Sequence, residues 1–252
     1  MKTMIALLRR EILEHRPLWF MPLILIGIAL LVRLSMSFGS LEFNIDIPSQ
    51  LNLDNTINSV RDGAVARGLN VMNYIIMLTL FAVACFYTLS CLYNERQDDS
   101  VLFWRSLPIS DTTTIASKLV VALILTPFTV LLTQTVVAFL FFGGDAFNYL
   151  SVFFTDSLTT LFKVLMWALI PTVGWCLFCS EVAKKNPFLL AFIAPILLWV
   201  TDRLFLGGNI GQLLHVNRWI GFNDYSMESL MSGLIVATIG IVFAIIKRSQ
   251  RI

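Results

Sequence analysis

The sequence predicts an all-α membrane protein with six transmembrane helices, an amphipathic N-terminal helix and a short cytoplasmic helix. Three observations carry that reading. Of the 252 residues, 57% are hydrophobic and only 13% charged, about half the charge of a water-facing domain. That composition excludes an ordinary soluble enzyme, a disordered chain and a nucleic-acid binder. The apolar residues fall in continuous runs close to the ~20 residues that cross ~30 Å of hydrocarbon, not in the alternating strands of an outer-membrane barrel. Lys and Arg gather between alternate runs, as they do in loops retained in the cytoplasm.

Residues 1–17 predict an interfacial elbow helix. Met1, Met4, Ile5, Leu8 and Ile12 recur at helical spacing, with Lys2, Arg9, Arg10 and Glu14 largely off that stripe. Such a helix lies in the interface with its basic groups toward anionic headgroups. Pro17 turns the chain into the first span, Leu18–Phe38, whose apolar stretch exceeds an ordinary signal-peptide core and is read as retained. A polar outer loop from Gly39 to Asn70, too small for an independent domain, leads to the second span, Val71–Tyr93. The third, Ile115–Phe142, is the longest, and Pro127 near its middle predicts a kink that neighbouring helices must satisfy. The fourth and fifth are Ser157–Ser180 and Pro187–Leu206. Residues 207–228 form an outer loop with Trp219, Phe222 and Tyr225 among glycines and asparagines, a partly re-entrant or interfacial pattern. The sixth span, Leu230–Ile246, is the shortest at 17 residues, with room to extend at its outer end.

Orientation follows from charge. With the N-terminus inside, 12 of the 18 Lys and Arg fall on the cytoplasmic side but only 7 of the 16 acidic residues. Both termini are therefore expected in the cytoplasm.

Several chemistries lack their residues. The sequence has no G-x-x-x-x-G-K-[ST] loop to cradle phosphates, no H-E-x-x-H and no G-x-S-x-G nucleophile elbow. His15 and His215 are expected on opposite sides of the membrane, so they cannot share a metal. Cys176 and Cys179 have C-x-x-C spacing but no second Cys or His pair nearby, so these cysteines, with Cys85 and Cys91, are read as packing residues. No span carries a ladder of carboxylates suited to a proton pump, and no internal repeat argues for an inverted-repeat transporter.

The most informative stretch is residues 94–114. Glu95, Arg96, Asp98 and Asp99 precede an apolar cluster, Val101-Leu102-Phe103-Trp104, which is followed by Arg105 and the stop Leu107-Pro108. Ser100 or Asp99 is suited to cap a short helix there, and Asp111 or a nearby Thr to start the next. Two readings stand: aromatic anchoring in headgroups, or a cytoplasmic knob that docks another protein.

At these residues the chain resembles the permease subunits of ABC transporters of the type 2 permease family, whose fold is like that of type V exporters. Members typically carry Glu-Arg after the second span, a short helix, Leu-x-x-Leu-Pro-[ILV]-Ser, and a Lys opening the third span. Here Glu95-Arg96, Trp104-Arg105-Ser106-Leu107-Pro108-Ile109-Ser110 and Lys118 stand at those places. Asp98-Asp99-Ser100 replaces the Gly-Thr that members often have. The likeness covers the whole chain in topology, but in motif only residues 94–118. It implies a single permease domain over 1–252, in a plasma membrane of the bacterial inner-membrane type, paired with a second copy as a homodimer. It also implies a separate ABC ATPase subunit that binds ATP and Mg and docks on the coupling segment 94–114. The permease itself then needs no cofactor and is not an enzyme. Phe103 and Trp104 are the expected anchors of the docking contact, with Glu95, Arg96, Asp98, Asp99 and Arg105 as its polar rim. An ATP-independent secondary transporter or channel is the alternative.

Lys163 is the clearest intramembrane charge, about 10 Å deep at ~1.5 Å per residue. Asp156, seven residues earlier, falls on nearly the same helical face. Snorkelling to the outer interface competes with a role on the pathway or at the dimer seam. Arg33, Asp202 and Arg203 lie at outer span ends and are assigned to anchoring.

Overall fold

The computed structural model describes residues 2–38, 53–98, 110–142, 146–205, 207–208 and 225–250. Among them there is no strand, and six helices are long and apolar enough to cross a membrane. The protein is an all-α, multi-pass membrane protein.

Helix α1 (Lys2–Glu14) is followed at once by α2 (Pro17–Ser37), the first span. The second span belongs to α3 (Leu53–Gln97), a helix of 45 residues. This corrects the expected loop from Gly39 to Asn70, since residues 53–70 are helical. At ~1.5 Å per residue those 18 residues carry the helix about 27 Å beyond its apolar part. Hydropathy located where α3 enters the membrane, not where the helix begins.

The third span runs through α4 (Asp111–Val120), a five-residue π-turn (Val121–Leu125) and α5 (Thr126–Phe142). Its N-cap is Ser110, whose side chain accepts from the Thr113 amide. The fourth span repeats the pattern: α6 (Ala146–Val164), a π-turn (Leu165–Leu169) and α7 (Ile170–Val182). Its helix starts eleven residues before Ser157, while the apolar span itself begins at Ser157 as expected. Helix α8 (Pro187–Phe205) is the fifth span and α9 (Met227–Ser249) the sixth, three residues longer at each end than its apolar run.

The π-turns have a common cause. Pro127 and Pro171 each lie two residues past one, and a helical proline lacks an N–H and collides with the carbonyl four residues back. Widening the preceding turn by one residue moves that carbonyl aside. The Thr126 and Ile170 amides accordingly donate five residues back, to Val121 and Leu165. The kink expected at Pro127 is thus met by a π-turn, and Pro171 makes a second.

Packing is closest where the fourth and sixth spans cross. Buried Gly233, Ala237, Gly240 and Ala244 form one stripe along α9, and Gly174 faces it from α7. A Cβ on Gly174 would sit 2.5 Å from the Ala237 Cα, and one on Gly240 would strike the Gly174 carbonyl. Small side chains let the backbones meet, as membrane helices require where burial alone does not drive association. The outward faces are apolar: Leu23, Leu31, Phe192, Ile196, Leu197 and Leu204 are exposed on the first and fifth spans, as lipid-facing helices should be. Among the described residues, all four cysteines are free thiols and buried.

Candidate functional site

One end of the bundle gathers α1, the close of α3, α4 at the start of the third span and the close of α9. Each element brings a charge inward. On α1 the buried face carries Leu7 and Glu11, while Ile5 and Leu13 are exposed. The apolar stripe read from the sequence is therefore rotated, and it buries a carboxylate. On α9, Arg248 lies four residues past Ala244 and extends the small-residue stripe into the bundle. Lys118 stands on the last turn of α4, and Glu95 near the end of α3.

These four are almost wholly removed from solvent: Glu11 and Lys118 are 1% exposed, Arg248 3% and Glu95 5%. They form one network. The Lys118 ammonium lies 2.7 Å from Glu11 Oε1 and 3.0 Å from Glu95 Oε1. Arg248 donates from Nη1 to Glu95 Oε2 at 2.9 Å and from Nε to Asp111 Oδ1 at 3.1 Å. The Tyr87 hydroxyl donates to Glu11 Oε2 at 2.8 Å. Arg10 reaches Glu95 Oε1 at 3.4 Å and Glu14 at 2.9 Å, closing the rim. Two interior cations thus stand among three carboxylates with Arg10 at the edge, so charge nearly balances. That balance is what makes burying ions tolerable.

His15 packs edge-on against Tyr87, with ring centroids 4.6 Å apart. Its Nε2 lies 3.6 Å from Glu11 Oε2. Burial holds its pKa below the ordinary 6.5, outweighing the upward pull of Glu11; the ring is therefore neutral at pH 7.

Arg96 faces the other way. Its guanidinium donates to the Ser180, Glu181 and Ala183 carbonyls at 2.6, 3.1 and 2.8 Å. It thereby caps α7, whose last carbonyls lack helical partners. It also lies 5.3 Å from the Tyr93 ring centroid, and the Tyr93 hydroxyl donates to the Lys185 carbonyl. The consecutive residues Glu95 and Arg96 bind the second span to the sixth and to the turn between the fourth and fifth.

The other expected site residues divide as follows. Asp98 is exposed at the last described turn of α3. Asp99, Phe103, Trp104 and Arg105 lie outside the described residues, and so does the side chain of Asp156. Lys163 is exposed at the far end of the bundle, its ammonium 5.5 Å from the Tyr225 ring centroid. There Trp167 donates to the Ser226 carbonyl at 2.9 Å, pinning the start of the sixth span to the fourth. Arg33 donates to the Leu140 carbonyl at 3.2 Å and joins the first and third spans. Asp202 is buried, and the Gly208 amide donates to its carbonyl at 3.1 Å; Gly207 and Gly208 both have positive φ, which closes α8 in a turn that suits glycine. Among the described residues, no group of three or more His, Cys, Asp or Glu is placed to hold a metal.

Sequence reasoning missed Glu11, Tyr87, Asp111 as a ligand of Arg248, and Arg248 itself. Two signals were present. Glu11 follows Leu7 by one helical turn, and Arg248 continues the four-residue spacing of Gly240 and Ala244. Compared with protein families, with curated proteins and with solved structures, the chain has no match.

Proposed function

We propose that this chain is the membrane-spanning subunit of an ATP-driven exporter, working as a dimer and driven by a separate ATPase subunit that docks on residues 94–114. The observation that carries the reading is where the ion network sits. Residues 99–109 join α3 to α4, and the flanking carboxylates Glu95 and Asp111 are both held by Arg248. Lys118 then links Glu95 to Glu11 on the elbow helix. A force on the intervening segment would reach four elements at once through buried ion pairs, which do not yield as a solvated loop would. That is what coupling to an ATPase requires.

In this reading Phe103 and Trp104 make the docking contact, with Asp98, Asp99 and Arg105 at its rim. Glu95 and Arg96 act from inside, by fixing the second span to the sixth and to residues 180–185. Both termini face the cytoplasm, the ATPase carries ATP and Mg, and Lys163 with Asp156 lies toward the outer side, on the pathway or the dimer seam. The test is co-purification from native membranes. Changing Phe103 and Trp104 together to Ala should leave the chain inserted and dimeric. Truncating buried aromatic anchors costs about 2 kcal/mol or more each, so the ATPase should be held at least about tenfold less tightly. Equal recovery of the ATPase with the double variant and the wild type would refute docking at this segment.

A further inference from the structure

Helix α1 has two faces. Leu7 and Glu11 turn into the bundle, whereas Ile5 and Leu13, 65% and 66% exposed, turn out with Ala6 and Arg9. Ile5, Arg9 and Leu13 follow one another at four-residue spacing and so share that outward face. The two arginines of α1 diverge. Arg10 reaches inward to Glu95 and along the helix to Glu14. Arg9 is exposed and meets no carboxylate among the described residues; the residues three and four positions from it are Ile5, Ala6, Ile12 and Leu13. Arg16, in the link to α2, is likewise exposed and without a carboxylate there, with Ile12, Leu13, Trp19 and Phe20 at the same spacings.

Continuity says what covers this face. The Trp19 indole donates to the Ile12 carbonyl at 3.2 Å and fastens α1 to the first turn of α2. Trp19, Phe20, Leu23 and Ile24 are exposed on the first span and belong to its lipid-facing surface. The outward face of α1 therefore runs on from the bilayer surface. With three apolar residues to one cation, it suits the boundary between acyl chains and headgroups, where tryptophan also settles. A guanidinium held there needs a counter-charge, and the protein gives its nearby carboxylates to Arg10, Lys118 and Arg248 instead. The phosphodiesters of the leaflet supply one. A headgroup with net negative charge does so better than a zwitterionic one, whose own ammonium competes for the phosphate.

We propose that Arg9 and Arg16, with Ile5, Leu13 and Trp19, bind the headgroups of acidic phospholipids, and that this contact holds α1 against the buried ion network. Lys118 grips α1 through Glu11 from within, and the lipid holds it from outside. The site belongs to a single chain, and its test needs no ATPase, so it stands or fails apart from the docking reading.

The experiment uses the full chain in phosphatidylcholine nanodiscs doped with one of two photoactivatable lipids, a phosphatidylglycerol or a phosphatidylcholine, each with a diazirine near the top of one acyl chain. Cross-linked peptides are mapped by mass spectrometry. The acidic probe should label residues 5–20 at least about fivefold more than the zwitterionic one, the pull of an acidic surface on one basic side chain. The exposed fifth span, residues 189–200, should show no preference. Arg9→Gln with Arg16→Gln should erase the preference. Lys184→Gln with Lys185→Gln, at another exposed basic pair of the same end, should leave it. A second reading needs no variant: amide hydrogen exchange in α1 should slow about fivefold or more when phosphatidylglycerol replaces part of the phosphatidylcholine. Equal labelling by the two probes, a preference that survives the double Arg variant, or α1 exchange indifferent to lipid charge would each overturn the proposal. So would loss of the preference to inorganic phosphate at constant ionic strength, which would mark a site for free anions. Residues 5–20 left unlabelled by both probes would overturn it too, by placing a protein on this face.

Discussion

Replacing Lys118 with Met keeps the length of the side chain and removes the cation at the centre of the network. The ammonium lies 2.7 Å from Glu11 and 3.0 Å from Glu95. With charge centres ~4 Å apart and an effective dielectric of ~20, each pair is worth about 4 kcal/mol before desolvation is counted. Desolvating the ammonium offsets much of that. The change leaves two buried carboxylates short of a cation, and removing one partner of a buried pair typically costs about 3–5 kcal/mol. Glu95 keeps Arg248 and Arg10, whereas Glu11 keeps, among the described residues, only the Tyr87 hydroxyl and neutral His15. Most of the loss should therefore fall on Glu11. For a chain of this size that corresponds to a fall in Tm of about 6–20 °C, read by fluorescence-detected unfolding in mild detergent. Adding Glu11→Gln to Lys118→Met should recover at least half the loss, since it removes the stranded charge. A shift under about 2 °C, or a double variant as unstable as the sum of the singles, would refute the account of a buried, charge-compensated network.

Three further outcomes are expected. Because the folded-state pKa of His15 is depressed, the unfolded chain binds the proton more readily; the contribution of this residue is full above pH 6.5 and is lost as pH falls from 6.5 toward the folded value. His15→Phe should flatten that limb of a stability–pH profile, and an unchanged profile would mean the ring is not held neutral. Gly174→Ala should cost about 1–3 kcal/mol by overpacking the crossing of the fourth and sixth spans, measured as lowered resistance to denaturing detergent; wild-type resistance would show that the backbones part freely. Arg96→Lys should lose part of the three-carbonyl cap of α7 and destabilise by about 1–2 kcal/mol. Hydrogen exchange at residues 180–185 should rise with it, and no rise would place the holding force elsewhere.

The six spans were legible because hydropathy along a chain is read against a barrier of fixed thickness. Pro17, Pro127 and Pro187 marked a helix start, a helix distortion and another start, since a proline acts on its own helix. The extent of α3 was not legible. Residues 53–70 are polar and include Gly63 and Gly68, so composition argued for a loop, whereas continuation from an established helix avoids the cost of a new nucleus. The Glu95-Arg96 pair and Lys118 were singled out as motif residues, but the pair was assigned to an exposed rim. A charge beside a membrane span ordinarily stays in water, and nothing local shows that cations from two other helices will meet it.

By itself, the sequence determined the class of protein, the count of spans and the distortion at Pro127, because each depends on residues within a turn or two of one another. The tertiary structure alone decided that Glu11 meets Lys118 across 107 positions and Glu95 meets Arg248 across 153. It also turned Arg96 onto the end of α7. Ion pairing in a low-dielectric interior is fixed by which helix faces meet, and the small residues of α7 and α9 set that by letting two backbones touch. Periodicity reveals a face but not its partner.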